Sequence, residues 1–242
     1  MKIDLNIGDK LDTQTGQIEV IEIDRQNVKV RFEDGYEVIA LKSNVVKGSV
    51  RNPNFRSYFG IGYRGEGRHT MHGKKSYHKW NSMLVRCYDP EYKKLHPTYD
   101  NVYCCDEWHN YQNFTDWYLN QIGCDEKGYD LDKDLLVKGN KIYSPDTCVL
   151  VPQELNKILG NTGMDRGVST RPDLNGKWMV RCSTVDGEVY LGLHASKEVA
   201  LQIYRDFKLS YLKERAVFWK DKIDPRVYNA LMEFTFEALD VL

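Results

Sequence analysis

Apolar residues recur in strand fashion through the first fifty positions. The pattern runs Val20, Ile23, then Val28, Val30, Phe32, then Val38, Ile39, as expected for strands that turn one face inward. Arg25-Gln26-Asn27 and Asp34-Gly35 interrupt it with turn residues, Asp34-Gly35 between Phe32 and Tyr36 being the firmest hairpin signal. Short strands joined by tight turns predict a small antiparallel β-barrel over residues 1–52. From 53 to 76 the periodicity lapses into a Gly-, Arg- and Tyr-rich stretch that reads as an extended linker arm.

Helical spacing follows. Trp80, Met83, Leu84 and Cys87 fall at i, i+3, i+4 and i+7, which predicts one buried helix face. A second helix is expected after Asp106 or Asn110, carrying Phe114, Trp117, Tyr118 and Ile122. Beyond it come a strand, a tight turn at Gly139-Asn140, a second strand and a helix from near Pro152. These elements make residues 77–160 an α+β core. After a polar break at Gly160–Gly163, turns around Asp173-Asn175-Gly176 and Asp186-Gly187 mark three short strands within residues 161–218. A long helix closes that segment, with Ser196 as N-cap and a stripe of Val199/Ala200, Ile203/Tyr204, Phe207 and Tyr211. The tail, 219–242, is helix-like with Tyr228, Leu231, Phe234, Ala238 and Leu242. The fold class predicted is α+β and multi-domain: an N-terminal small antiparallel β-barrel, a central ββα core with extra helices, and a C-terminal three-stranded sheet plus helix.

Composition changes this picture little, and charge changes it more. The chain has 242 residues, 41% hydrophobic and 29% charged, ordinary for a globular protein. No apolar run approaches a membrane span, and MKIDLNIGDK lacks a signal-peptide core. A membrane partner is therefore not expected. The six cysteines form no dense framework and read as reduced cytoplasmic thiols. The net charge of −1 hides a split. Arg51–Arg86 holds eight Lys/Arg against Glu66, or +7, whereas Asn101–Leu135 holds eight acids against Lys127 and Lys133, or −6. Within the basic stretch, Arg64, Arg68, Lys74 and Lys75 are candidates to follow phosphates. Two solvated faces that partly neutralise each other explain the split equally well.

Arg166-Gly167-Val168, Gly176-Lys177-Trp178, Tyr190-Leu191-Gly192 and Ser196–Tyr204 stand in the order and spacing of a known module. The string resembles the apetala-two/ethylene-response-factor DNA-binding domain over about fifty residues. The resemblance implies a three-stranded antiparallel sheet laid into the major groove of double-stranded DNA, with a helix behind it. It carries over Arg166, Arg171, Lys177, Trp178 and Tyr190 as DNA contacts, and Arg181 joins them from the same strands. Tyr190 replaces the Trp usual in plant members, Arg181 stands where Glu is frequent, and Ser169 where Arg is frequent. The plant target sequence is thus not expected to transfer. Arg reads guanine with two prongs and Lys177 can neutralise phosphate, independently of any family.

Trp80-x-x-Met83-x-x-Arg86-Cys87-Tyr88, Cys105-x-Glu107-Trp108, Phe114, Leu131-Asp132, Asn140, Tyr143-Ser144-Pro145, Cys148 and Asn156 resemble a bacteriophage family described as HNH-type or HNH-associated. That resemblance spans nearly the whole chain, implies a location in the host-cell cytoplasm, and implies a hairpin-plus-helix core that presents a metal and a general base to one phosphate. The expected base is missing: no His lies between His109 and His194, and Lys133 takes its place. Lysine is protonated near neutral pH and makes a poor base. Asp132 and Asp134, at i and i+2 on a strand, with Asn156 on the following helix, are the candidate catalytic and Mg²⁺-binding residues, and His69, His72, His78 or His109 are the histidines left to supply a base. Cys87, Cys105 and Cys148 are candidate Zn²⁺ ligands, although the C-x₂-C pairs of strong zinc sites are absent. Three readings stay open: a DNA-binding protein with a non-catalytic core, a metal-dependent DNA endonuclease of homing or nicking kind, and an adaptor that engages a protein through the barrel or the acidic tail.

Overall fold

A computed structural model describes residues 4–160 and 167–236. The protein is mixed α+β, and its chain divides into two compact units, Met1–Thr70 with Asp106–Phe114, and Met71–Cys105 with Thr115–Leu242. Among the described residues, no helix is long and apolar enough to cross a membrane.

In the first unit, β1 (Lys10–Thr13), β2 (Gly16–Asp24), β3 (Asn27–Phe32) and β4 (Glu37–Leu41) form an antiparallel meander in the order β1-β2-β3-β4. The expected barrel is therefore corrected to an open sheet, with β1 and β4 as its edges. Closure is not needed to bury the inner face. After β4 the chain turns into the short helix α1 (Lys42–Val46), whose Val45 joins Leu5, Ile18, Val20, Val28, Val30, Phe32 and Val50 in one core cluster. A bulge at Ile21, between the pairs Val20↔Val30 and Glu22↔Lys29, shifts the alternation of β2. That shift lets Val20 and Ile23, three positions apart, both pack on the same core.

The Gly-rich stretch that follows is tied down as far as Thr70 rather than extended. Tyr63 N donates to the carbonyl of His109 at 2.9 Å, and Tyr111 N donates to the carbonyl of Tyr63 at 3.0 Å. Buried Gln112 completes the attachment: its Nε2 donates to the carbonyls of Arg64 and His69, and its Oε1 accepts from His69 N. A chain without strand periodicity must still satisfy its backbone polar groups, and here a buried side-chain amide does so.

The second unit opens with α2 (Lys75–Tyr88), whose buried residues include Trp80, Met83, Leu84 and Cys87 as the spacing predicts. Asp89 caps the next helix, α3 (Pro90–Leu95), by accepting from the amides of Glu91 and Tyr92. β5 (Tyr103–Cys104) follows, then α4 (Tyr111–Leu119), which ends before the expected Ile122. β6 (Tyr129–Asp132) pairs with β8 (Val149–Pro152), and β5 pairs in parallel with β7 (Ile142–Tyr143). The expected hairpin through Gly139-Asn140 is thus replaced by two separate pairings. β8 is buried along its whole length, so it offers Tyr129 and Leu131 an apolar partner that two-residue β7 cannot match. α5 (Gln153–Gly160) follows β8 directly.

β9 (Val168–Ser169), β10 (Trp178–Thr184) and β11 (Gly187–His194) form a three-stranded antiparallel sheet in the order β11-β10-β9. The 23-residue helix α6 (Lys197–Trp219) starts at Ser196, whose side chain accepts from Val199 N at 3.3 Å. It covers one sheet face through a cluster of Val168, Val180, Cys182, Ala200 and Tyr204. Glu154 of α5 holds the far end of α6, accepting hydrogen bonds from the Arg215 guanidinium and from Trp219 Nε1. α7 (Pro225–Glu233) buries Val227 and Leu231, while Ala238 and Leu242 lie outside the described residues.

Candidate nucleic-acid interface

Strand alternation decides which side chains the three-stranded sheet presents. Val180 and Cys182 of β10 point toward α6 and are buried, so Met179, Arg181 and Ser183 point the other way. The register carries this across the sheet: Ser169 and Leu193 lie opposite Met179, Tyr190 lies opposite Arg181, and Glu188 opposite Ser183. Tyr190 is 57% exposed. Trp178 shares the parity of Val180 and packs on the core beside α6, with the Lys197 ammonium 5.6 Å from its ring centroid. It thus lies on the covered face and not beside Arg181 and Tyr190.

Two backbone devices set this geometry. A bulge at Leu191 separates the pairs Val180↔Gly192 and Arg181↔Tyr190, and Gly192 takes the positive φ of 105° that the bulge requires. Gly167 has a different reason to be glycine. A Cβ there would stand 2.1 Å from the Tyr204 ring and 2.3 Å from the Arg181 carbonyl. The carbonyl of Gly167 also accepts from Arg181 N at 2.8 Å, so the contact that seats α6 also fixes Arg181.

Arg181 reaches Glu188 at 2.8 Å on the open face. Arg171 and Lys177 are exposed on the loop between β9 and β10, where Arg171 lies 3.4 Å from Asp173 and Thr170 Oγ1 closes the loop onto the Lys177 carbonyl. Arg166 lies outside the described residues. A cleft of about 720 Å³ opens beside the sheet, lined by Arg181, Ser183 and Met179 together with Glu154 and Lys157 of α5. Lys157 was not among the candidates from sequence. Its place on the same cleft as Arg181 depends on α5 folding back toward a strand more than twenty residues later, which no local pattern announces.

The basic arm is divided between the units. Arg64 and Arg68 are exposed in the first, and Lys74 and Lys75 are exposed at the start of α2 in the second. Part of the charge split is neutralised locally, since Lys79 pairs with Asp130 at 2.8 Å, while Lys75 Nζ donates to the backbone carbonyl of Asp125.

The residues sought as a catalytic centre serve the backbone. β6 ends at Asp132, so Asp134 is not its neighbour on a strand face. Instead Asp132 Oδ1 accepts from the amides of Asp134 at 2.9 Å and Leu135 at 2.7 Å, an Asx-type turn. Burial pushes the Asp132 carboxyl above its ordinary pKa. Lys133 is buried, donating to Asp134 Oδ1 and to the Asn140 carbonyl. Asn140 in turn closes the loop by donating to the carbonyls of Lys133 and Ile142. Asn156 sits partly buried on α5. His69 and His109 belong to the first unit, and burial holds the His109 imidazole below its ordinary pKa. His78 packs against Tyr77 on α2, and His72 is exposed.

Around Asp132 and Asp134, one oxygen of each carboxylate is engaged by the protein, Asp132 Oδ1 by two backbone amides and Asp134 Oδ1 by the Lys133 ammonium. Among the described residues, no three His, Cys, Asp or Glu side chains are arranged to hold a metal ion. Cys87, Cys105 and Cys148 are free thiols. A hydrogen bond with Cys104 and burial raise the Cys87 thiol, and burial pushes Cys148 up to about 12, which favours the protonated form over the thiolate that zinc binds. Comparison with known proteins gives no match among family models, curated sequences or solved structures.

Proposed function

We propose that this chain binds double-stranded DNA through the open face of β9–β11, with its central core serving as a scaffold rather than a nuclease. What carries the reading is the direct pairing of Arg181 with exposed Tyr190 on a sheet face that α6 leaves free. Two inter-strand spacings set the outer strands about 10 Å apart, a width that a major groove of roughly 12 Å admits. Arg181 supplies a forked donor for a guanine edge, and Tyr190 an amphipathic surface beside it. Arg171, Lys177 and Lys157 surround them as phosphate contacts. Glu188 works as a brake: DNA must displace it from Arg181, and a base edge that accepts two hydrogen bonds does so more readily than one that does not.

Fluorescence anisotropy of the full chain on duplex DNA tests the reading. Three neutralised phosphates would give a log–log salt slope of roughly −3. Arg171→Ala should weaken all duplexes alike, as a phosphate contact does. Association with DNA that is insensitive to salt would remove the proposal.

A further inference from the structure

Among the described residues, the second unit contains a cation that forms no ion pair, with Asp130 feeling its charge at longer range. Arg86, in the last turn of α2, is partly buried, and its one hydrogen bond among the described residues is a long 3.4 Å contact from a guanidinium nitrogen to Tyr143 Oη. Nearby carboxylates are already committed. Asp130 is held by Lys79 at 2.8 Å and Gln153 at 3.2 Å, Asp134 by Lys133, and Asp132 by two amides. What surrounds Arg86 is phenolic: Tyr143, Tyr99 and Tyr92 all lie close enough for their electrostatic effect to reach it. Burial raises the pKa of Tyr143 and of Tyr99, so both stay neutral and cancel none of its charge. The Lys133 ammonium stands over the same rings, 5.9 Å from the centroids of Tyr99 and of Tyr143.

Donors therefore outnumber acceptors here. The guanidinium has five N–H groups and one weak partner, and neither Tyr92 nor Tyr99 has a hydroxyl hydrogen bond among the described residues. A partly buried cation without a directly bonded anion is costly, and the C-terminal end of α2 contributes only a partial negative charge. We propose that Arg86, Tyr99, Tyr92 and Lys133 form a binding site for a phosphate group, a monoester or a diester, held by the guanidinium fork and the phenol hydroxyls. The site binds without cleaving, and it is independent of the sheet face.

Isothermal titration of the full chain with inorganic phosphate tests it. Saturable binding is expected, weakened about tenfold or more by Arg86→Gln and by a smaller factor by Arg86→Lys, which keeps the charge but loses the fork. Tyr99→Phe, which leaves the ring in place, should weaken binding about threefold, and Arg181→Ala should leave it unchanged. Should Arg86→Gln fail to fold, the Lys and Phe variants decide. Competition by a short duplex would identify a nucleic-acid backbone as the source of the phosphate, and its failure to compete would identify a free phosphate compound. Absence of saturable binding, or equal binding by the native chain and the Arg86 and Tyr99 variants, would overturn the proposal.

Discussion

The two larger antiparallel sheets among the described residues carry the same cross-strand ion pair in different surroundings. In the N-terminal meander, Arg31 bonds Glu37 at 2.7 Å, and in the C-terminal sheet Arg181 bonds Glu188 at 2.8 Å. Register separates them. Arg31 lies directly between Glu19 on β2 and Glu37 on β4, and Lys29 shares Glu37 at 2.7 Å. Both cations lower the Glu37 pKa, which keeps that carboxyl ionised. Arg181 instead faces Tyr190, with Glu188 offset along the strand. An arginine flanked by acids on both sides stabilises its own sheet, whereas one beside an exposed phenol has an alternative partner when a polyanion arrives. Charge count alone would rank the two arginines together; the neighbours across the strands distinguish them.

Substitutions that break or sharpen this comparison have graded effects. The largest is expected from Gly167→Ala, because its Cβ meets a backbone carbonyl and a ring that α6 holds in place. It should cost about 3 kcal/mol in chemical denaturation of the second unit and weaken DNA binding with it. Ser196→Ala should cost about 1 kcal/mol by removing the cap of α6, again read by denaturation. The smallest effect belongs to Asp132→Asn. The folded-state pKa of Asp132 lies above its ordinary 3.8, so its protonated form favours folding and its contribution is lost as pH rises through the folded value. Asparagine can still accept from both amides, so the variant should gain stability over the native chain as pH rises above 3.8. A loss of stability that grows with pH would contradict the raised pKa of Asp132.

Much of the C-terminal sheet is legible in sequence because its determinants are local. Ser196 precedes its helix, the Asp186-Gly187 turn joins β10 to β11, and Ala200, Tyr204 and Tyr211 fall on the buried stripe. The stripe also contains buried Lys208, which hydrophobicity alone passes over. Side-chain parity was not legible before the strand limits were known, and neither was the place of Trp178 on the covered face. The central core was harder for a related reason. The turn at Gly139-Asn140 forms, with Asn140 N on the Val137 carbonyl, but strand partners are chosen by apolar burial along β8, at a distance in sequence that turn chemistry does not encode. The N-terminal strands were readable and their closure was not, since closure depends on whether something else covers the sheet, as Val45 of α1 does. Arg86 stands within a motif already visible in sequence, yet its lack of a directly bonded carboxylate among the described residues emerges only when β6, β7 and α3 are placed around it.

The most direct measurement is a paired anisotropy titration on one duplex at several salt concentrations. It compares the native chain, the Arg181→Ala/Tyr190→Ala double variant and Arg31→Ala. The double variant should lose about 2–4 kcal/mol of affinity with the salt slope nearly unchanged, since Arg181 is assigned to a base edge and not to a phosphate, and Arg31→Ala should be indistinguishable from native. If the double variant binds as the native chain does, or if Arg31→Ala loses as much, the open face of the C-terminal sheet is not where this protein meets DNA.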